Sequence, residues 1–319
     1  DSYRITKVYY EDDKGKTQAY NTSIKLTIPF YGRIENASDW QKIKPGTYQN
    51  FVLAKDIDLS SYDKNTANYN LSFNQLVGID QIVRDEKGVP IEDEFGNVVK
   101  RAPIISGVTL TELGPNVGLI DTIQSEIRNI SFKNISLTAR SNASGNYFGV
   151  IKFLNGKMSG TLDQATGTYK RMVFEDITLN GQTNVSYVGI VALNKSPDIH
   201  YIEFNNVYAK GKTYVAGLIA YSYALNKTDI VGSNIYAYSS SNYAGGFLGY
   251  EPDNTSKRFT FNVTIRGVYI YSNNEFATEY IDTRSINSAI TLYGVSVCEI
   301  ELFIDEKEPV SIWVHCGAK

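Results

Sequence analysis

The chain has 319 residues with 31 basic and 34 acidic side chains, a formal net charge of −3 and no block of like charge. That balance removes the electrostatic basis for binding nucleic acid or an anionic membrane, and no apolar run approaches the roughly 18 residues needed to span a bilayer. The 24 Tyr and 14 Phe, against 2 Met, 2 His and 2 Cys, stand among many Asn, Ser, Thr and Gly, a composition that favours strands and turns over helices.

Residues 1–30 alternate apolar and polar side chains in Tyr3-Arg4-Ile5-Thr6-Lys7-Val8-Tyr9 and again in Ile24-Lys25-Leu26-Thr27-Ile28, on either side of Asp12-Asp13-Lys14-Gly15. Period-two alternation around a turn predicts a β-hairpin, or the end of a preceding domain. A short helical turn is expected at Trp40-Gln41-Lys42-Ile43 with Ser38 or Asp39 as N-cap, then a strand at Phe51-Val52-Leu53-Ala54. Residues 80–103, with turns at Glu86-Lys87-Gly88 and Glu94-Phe95-Gly96-Asn97, read as an exposed hairpin excursion. No charged leader with an apolar stretch opens the chain, which begins at Asp1 rather than Met and reads as a processed or excised piece of something longer.

From residue 118 the sequence repeats. Five segments align on glycine: Gly118-Leu119-Ile120-Asp121, Gly149-Val150-Ile151-Lys152, Gly189-Ile190-Val191-Ala192, Gly217-Leu218-Ile219-Ala220 and Gly246-Phe247-Leu248-Gly249, spaced by 31, 40, 28 and 29 residues. The long step holds a polar stretch, residues 155–168, expected as an inserted loop. Between the glycine segments a second unit alternates with period two, as in Ile130-x-Phe132-x-x-Ile135-x-Leu137 and Ile202-x-Phe204-x-x-Val207. At one place in each copy stands Asn134, Asp176, Asn206, Asn234 or Gly267. These residue types tolerate left-handed backbone, and Asn side chains can stack in hydrogen-bonded ladders, so the column is expected to turn a corner in every repeat.

Two short strands cannot bury a core within one repeat, but stacked repeats can. A propeller needs four strands per blade and even spacing, and neither is seen. The expected fold is therefore all-β: a right-handed parallel β-helix over residues 31–275, preceded by the hairpin segment 1–30 and followed by terminal strands, 276–319, that cap it.

The order of these motifs resembles a known family. Tyr48-x-x-Phe51-Val52-Leu53-Ala54-Lys55-Asp56-Ile57-Asp58-Leu59, followed by Gly118-Leu119-Ile120-Asp121-Thr122-Ile123 and Ile127-Arg128-Asn129-Ile130-Ser131-Phe132-Lys133-Asn134-Ile135, is similar to the β-helical region of immunoglobulin A1 zinc metalloproteases and related surface proteins of Gram-positive bacteria. The Tyr-x-Gly and Tyr-x-x-Gly copies further on resemble their GLUG-type repeats. The resemblance covers residues 30–250 and implies a secreted or wall-attached multidomain protein. It does not carry the proteolytic activity: the zinc-gripping His-Glu-x-x-His string is missing, and His200 and His315 stand in Asp198-Ile199-His200-Tyr201 and Val314-His315-Cys316.

No catalytic, metal or cofactor site is expected. His315 and Cys316 are neighbours in a strand and point to opposite faces. Glycoside cleavage requires two carboxyl groups across the scissile bond, and the nearest approach to such a pair is Glu175-Asp176 with Glu203. Asp56 and Asp58 lack further oxygen ligands nearby for calcium. Cys298 and Cys316 read either as a late disulfide or as two buried thiols. The feature suited to binding is a column of tyrosines, Tyr147, Tyr187, Tyr214 and Tyr243, each two residues before a small residue. Projecting outward they form an aromatic stripe; stacked on one another they are packing. The expected function is a non-catalytic binding or spacer module, extracellular or attached to the cell wall. It would meet host glycoprotein or glycan or position a neighbouring protease domain, with no nucleic acid partner and no membrane insertion. A polysaccharide-degrading β-helix enzyme and a trimeric phage or toxin fibre are the alternatives.

Overall fold

Period-two alternation builds strands almost throughout the computed structural model, which describes residues 2–11, 16–27, 31–163, 167–223, 225, 227–250, 260–272, 289–293, 299–302 and 312–315. The described residues are all-β apart from the five-residue helix Ala37–Gln41, and one sheet gathers 21 strands. Two compact units are distinguished, Asp1–Gly32 and Arg33–Lys319. The first contains the antiparallel pair Ser2–Glu11 and Thr17–Thr27, with a bulge between Ile5 and Lys7; its turn residues 12–15 lie outside the described residues.

In the second unit each repeat lends strands to three parallel ladders. One pairs the start of Val117–Arg128 with Gly145–Leu154, then with Val185–Val188 and Val191–Asn194, and onward to Tyr243–Gly245 and Leu248–Tyr250. A second pairs the end of Val117–Arg128 with Lys157–Ser159 and that with the start of Asp198–Gly211. The third runs from Ile104–Ser106 through Ser131–Ala139 and Met172–Asn180 into the rest of Asp198–Gly211, and Lys227–Ser239 and Thr260–Ser272 continue both. Two strands per repeat are visible in the sequence. The third is too short for alternation to show, because Lys157–Ser159 contributes one inward residue, the fully buried Met158. Residues 155–168 are therefore not all loop. They add this strand and then the antiparallel pairing of Thr161–Leu162 with Tyr169–Lys170.

Parallel pairing sets like residues over like. Ile57, Ile105, Phe132, Phe174 and Phe204 are successive register partners, and each is at most 2% exposed. The Phe132 and Phe174 rings stack at 5.1 Å, 4° from parallel. Each buried Phe contributes roughly 1.5–3 kcal/mol of hydrophobic stabilisation. The next partner in that column is Gly232, and a Cβ there would stand 2.7 Å from the Phe204 ring. The repeat glycines make room in the same way: a Cβ on Gly149 would meet the Gly189 carbonyl at 2.3 Å, and one on Gly217 the Gly246 carbonyl at 2.4 Å.

The corner column turns where the residue types require it. Asn134, Asp176, Asn206 and Asn234 all have φ between 54° and 56°. Asn206 Nδ2 donates to Asp176 Oδ1 at 3.0 Å, and Asn234 Nδ2 donates to Asn206 Oδ1 at 3.0 Å. The flanking pairs Ser233↔Arg266 and Ile235↔Val268 set Gly267 opposite Asn234. The short helix is capped by Asn36, whose side chain accepts from the Asp39 amide at 3.0 Å, rather than by Ser38 or Asp39; the helix starts earlier than its apolar residues indicate. Residues 80–103 form an excursion closed by Gln81–Ile82 against Lys100–Arg101. Beyond it, Ala289–Tyr293 adds in parallel to Thr260–Ser272, whereas Glu299–Leu302 and Ile312–His315 pair antiparallel with each other. Cys298, Cys316 and most of 276–319 lie outside the described residues.

Left-handed backbone costs a residue other than Gly, Asn or Asp about 1–2 kcal/mol, and each ladder bond adds roughly 0.5–1.5 kcal/mol. Replacement of Asn206 by Ala is therefore expected to lower unfolding free energy by about 2 kcal/mol, and Asn206→Gly, which tolerates the backbone but loses the ladder, by less. Denaturant midpoints measure both; equal stability of Asn206→Ala and the parent chain would contradict the role assigned to this column.

Candidate functional site: an aromatic surface on one ladder

Tyr147, Tyr187, Tyr214 and Tyr243 are consecutive register partners. Strands in a sheet lie about 4.8 Å apart, so identical side chains on successive strands are brought to ring-stacking distance. The centroids are separated by 5.0, 5.1 and 5.5 Å, with interplanar angles of 25°, 31° and 8°. The faces of the inner rings are thus covered by one another, while edges and hydroxyls point away from the column.

A second row stands four residues after each repeat glycine. Phe153, Leu193, Tyr221 and Tyr250 are register partners in turn, and the aromatic members lock into the first row. Tyr147 meets Phe153 at 4.8 Å, Tyr214 meets Tyr221 at 5.3 Å and Tyr250 at 5.0 Å, and Tyr243 meets Tyr250 at 5.1 Å. Tyr223, half exposed, stands edge-on to Tyr221 at 5.0 Å. The second row is legible in retrospect, because aromatic residues recur at that fixed offset; Leu193 interrupts the series and hides it.

Asn116 starts the first row. It has φ 61°, and its side-chain oxygen accepts from the Asn146 and Tyr147 amides at 3.0 and 3.2 Å. At that end Lys152 pairs with Asp121 and lies 5.0 Å from the Phe153 ring centroid. Beneath the second row the interior turns polar. Asn194 and Ser222, both fully buried, are joined by a 2.9 Å hydrogen bond, and Asn194 Nδ2 also donates to the Ser196 carbonyl at 2.8 Å.

Among the described residues the hydroxyls of Tyr147, Tyr187, Tyr214, Tyr221 and Tyr243 make no hydrogen bond to protein, and none is shut off from solvent. They form a row of donors and acceptors over an apolar bed. Burial first, then the proximity of neighbouring phenols, raises the pKa of Tyr147, Tyr187, Tyr214 and Tyr221 above the usual 10.0.

The carboxylates do not assemble as a catalytic pair. Glu203 is level with Val173 while Glu175 is level with Asn205. Lys133 Nζ reaches Glu175 at 2.8 Å, and Glu203 accepts from Asn205 at 2.7 Å. Asp56 is occupied by a two-pronged Arg101 contact and by the Ile104 amide. Burial opposes its ionisation, but the Arg101 and Ile104 hydrogen bonds and the Arg101 charge outweigh burial and hold the pKa below the usual 3.8. Asp58 accepts from the Ser60 amide at 2.9 Å. His200 lies 3.6 Å from Asp198, and the His315–Cys316 pair is not described beyond the backbone of His315. No group of three or more His, Cys, Asp or Glu is placed to hold a metal among the described residues, and no helix among them is long and apolar enough to cross a membrane. No family model, curated protein or solved structure matches the chain.

A phenol whose pKa is higher in the folded state than in the unfolded chain binds its proton more tightly when folded. The stability this contributes is complete below pH 10, the unfolded value, and is lost as pH rises through the folded values. Stability is therefore expected to decline above pH 10, and less so in Tyr187→Phe. Absorbance titration of the phenolates beside denaturant midpoints measures this; ionisation of every tyrosine at the ordinary pH would contradict it.

Proposed function

We propose that this chain is a right-handed parallel β-helix acting as a non-catalytic binding or spacer module of a secreted or cell-surface bacterial protein. Its aromatic surface contacts host glycoprotein or glycan, and its stacked repeats carry that surface at a fixed distance from neighbouring domains, a protease domain among them. Support for the fold comes from three parallel ladders advancing by one repeat at a time. The observation that carries the binding role is the eight-ring surface of Phe153, Tyr147, Tyr187, Tyr214, Tyr243, Tyr221, Tyr250 and Tyr223. Apolar area topped by open hydroxyls is the make-up of interface hot spots, where Tyr is enriched. Since the inner faces are stacked, a partner is met through ring edges and hydroxyls, by hydrogen bonding across a broad strip. A lateral-groove hydrolase is disfavoured by the offset and engagement of Glu175 and Glu203.

Binding to immobilised mucin, intact and stripped of glycans, tests the proposal. The double variant Tyr221→Ser, Tyr223→Ser alters the outer part of the surface and is expected to weaken capture of intact mucin about tenfold or more. Equal capture by the variant and the parent chain, or no capture by either, would reject the binding role for this surface.

A further inference from the structure

A second site lies on a different ladder. Arg128, Ser159 and His200 are register partners, and with Lys157, Tyr169 and Tyr201 they line a cleft of about 440 Å³, within the size range of small-molecule sites. Alternation points Ile127, Met158 and Ile199 inward and so puts Arg128, Ser159 and His200 on the outer face. Ser159 is nevertheless only 3% exposed, because the hairpin Thr161–Leu162 with Tyr169–Lys170 folds back beside it. Its Oγ is buried without a hydrogen-bond partner, and such a group is destabilising unless something satisfies it.

Around that hydroxyl the cations keep donor atoms open. Glu126 engages Arg128 only at Nε, 3.2 Å away, and the two terminal nitrogens of the guanidinium make no ion pair or hydrogen bond among the described residues, nor does Lys157 Nζ. Among the described residues no carboxylate lines the cleft. The wall opposite is aromatic: Tyr169 and Tyr201 stack at 3.5 Å, 10° from parallel, and Tyr169 is 49% exposed, which leaves one face of that pair open. A guanidinium fork, an ammonium and a buried hydroxyl answer a carboxylate and its neighbouring hydroxyls, and a tyrosine face answers the apolar side of a sugar ring.

We propose that this cleft binds a carboxylate-bearing monosaccharide unit, a hexuronate or a related acidic sugar, with the carboxylate on Arg128 and Lys157, a ring hydroxyl on Ser159 Oγ and the ring against Tyr169. None of these residues belongs to the aromatic surface, so this site stands or falls apart from it.

Titration of the full chain with D-galacturonate, methyl galactoside and acetate, followed by NMR, separates the parts of the proposal. Galacturonate is expected to bind at least tenfold more tightly than either of the others; parity with acetate would overturn the sugar-binding half, and parity with methyl galactoside the charge-binding half. Arg128→Gln is expected to weaken galacturonate about tenfold. Ser159→Ala removes a buried hydroxyl that no protein group satisfies, so it is expected to leave the thermal midpoint unchanged or raised while weakening galacturonate severalfold. Tyr221→Ser should leave galacturonate affinity as it is. Unaltered affinity in both Arg128→Gln and Ser159→Ala would overturn the assignment of this cleft.

Discussion

Parallel pairing at the same register, one repeat after another, is the constraint from which the rest of this structure follows. A parallel ladder does not alternate partners; it sets each residue directly over its counterpart. Whatever occupies one position of the repeat must therefore be compatible with a copy of itself about 4.8 Å away. Hydrophobic residues meet this by forming columns in the interior, as Phe132, Phe174 and Phe204 do. Amides meet it by pairing donor with acceptor, as Asn206 does with Asp176 and Asn234. Like charges cannot. The outer column that contains Lys133 accordingly continues with Glu175, Asn205 and Ser233, with an ion pair between Lys133 and Glu175 and a hydrogen bond from Ser233 to Asn205.

The tyrosine column obeys the same rule, which is why a packing role and a binding role are not exclusive. Stacking satisfies the ring faces and fixes the rings in place; the hydroxyls are left over and face water. A rigid row of aromatic edges and hydroxyls loses little conformational freedom on meeting a partner, which favours affinity. The cleft beside Ser159 is the converse case. There the repeat is broken by an insertion, the hairpin at 161–170 covers what would be an outer face, and a polar atom that regular stacking would have left to solvent is buried without a partner.

Much of this was legible because each repeat speaks for the next. The glycine spacing, the alternation around Phe132 and the Asn and Asp corner residues each appear several times, and repetition distinguishes a column from a coincidence. The short ladder through Lys157–Ser159 was hidden because three residues with one inward side chain carry no period. The second aromatic row was masked by Leu193, which is apolar but not aromatic. Asn36 is not distinguishable as the cap because Ser38 and Asp39, nearer the apolar residues, are equally suitable types. The Ser159 cleft has no sequence signal: a serine in a polar stretch gives no sign that the hairpin at 161–170 will close over it.

A register that repeats is a register that can be shortened by a whole repeat. Val207 and Ile235 are partners on adjacent levels, as are Tyr208 and Tyr236. Excising residues 208–235 therefore joins Val207 to Tyr236 with every later column still aligned, whereas excising residues 208–221 leaves the ladders out of phase. Circular dichroism and denaturant unfolding of the two shortened chains are the direct measurement. The first is expected to keep its strand signal and unfold cooperatively and the second to lose both. Loss of the fold in the chain lacking residues 208–235, to the same degree as in the chain lacking 208–221, would contradict it.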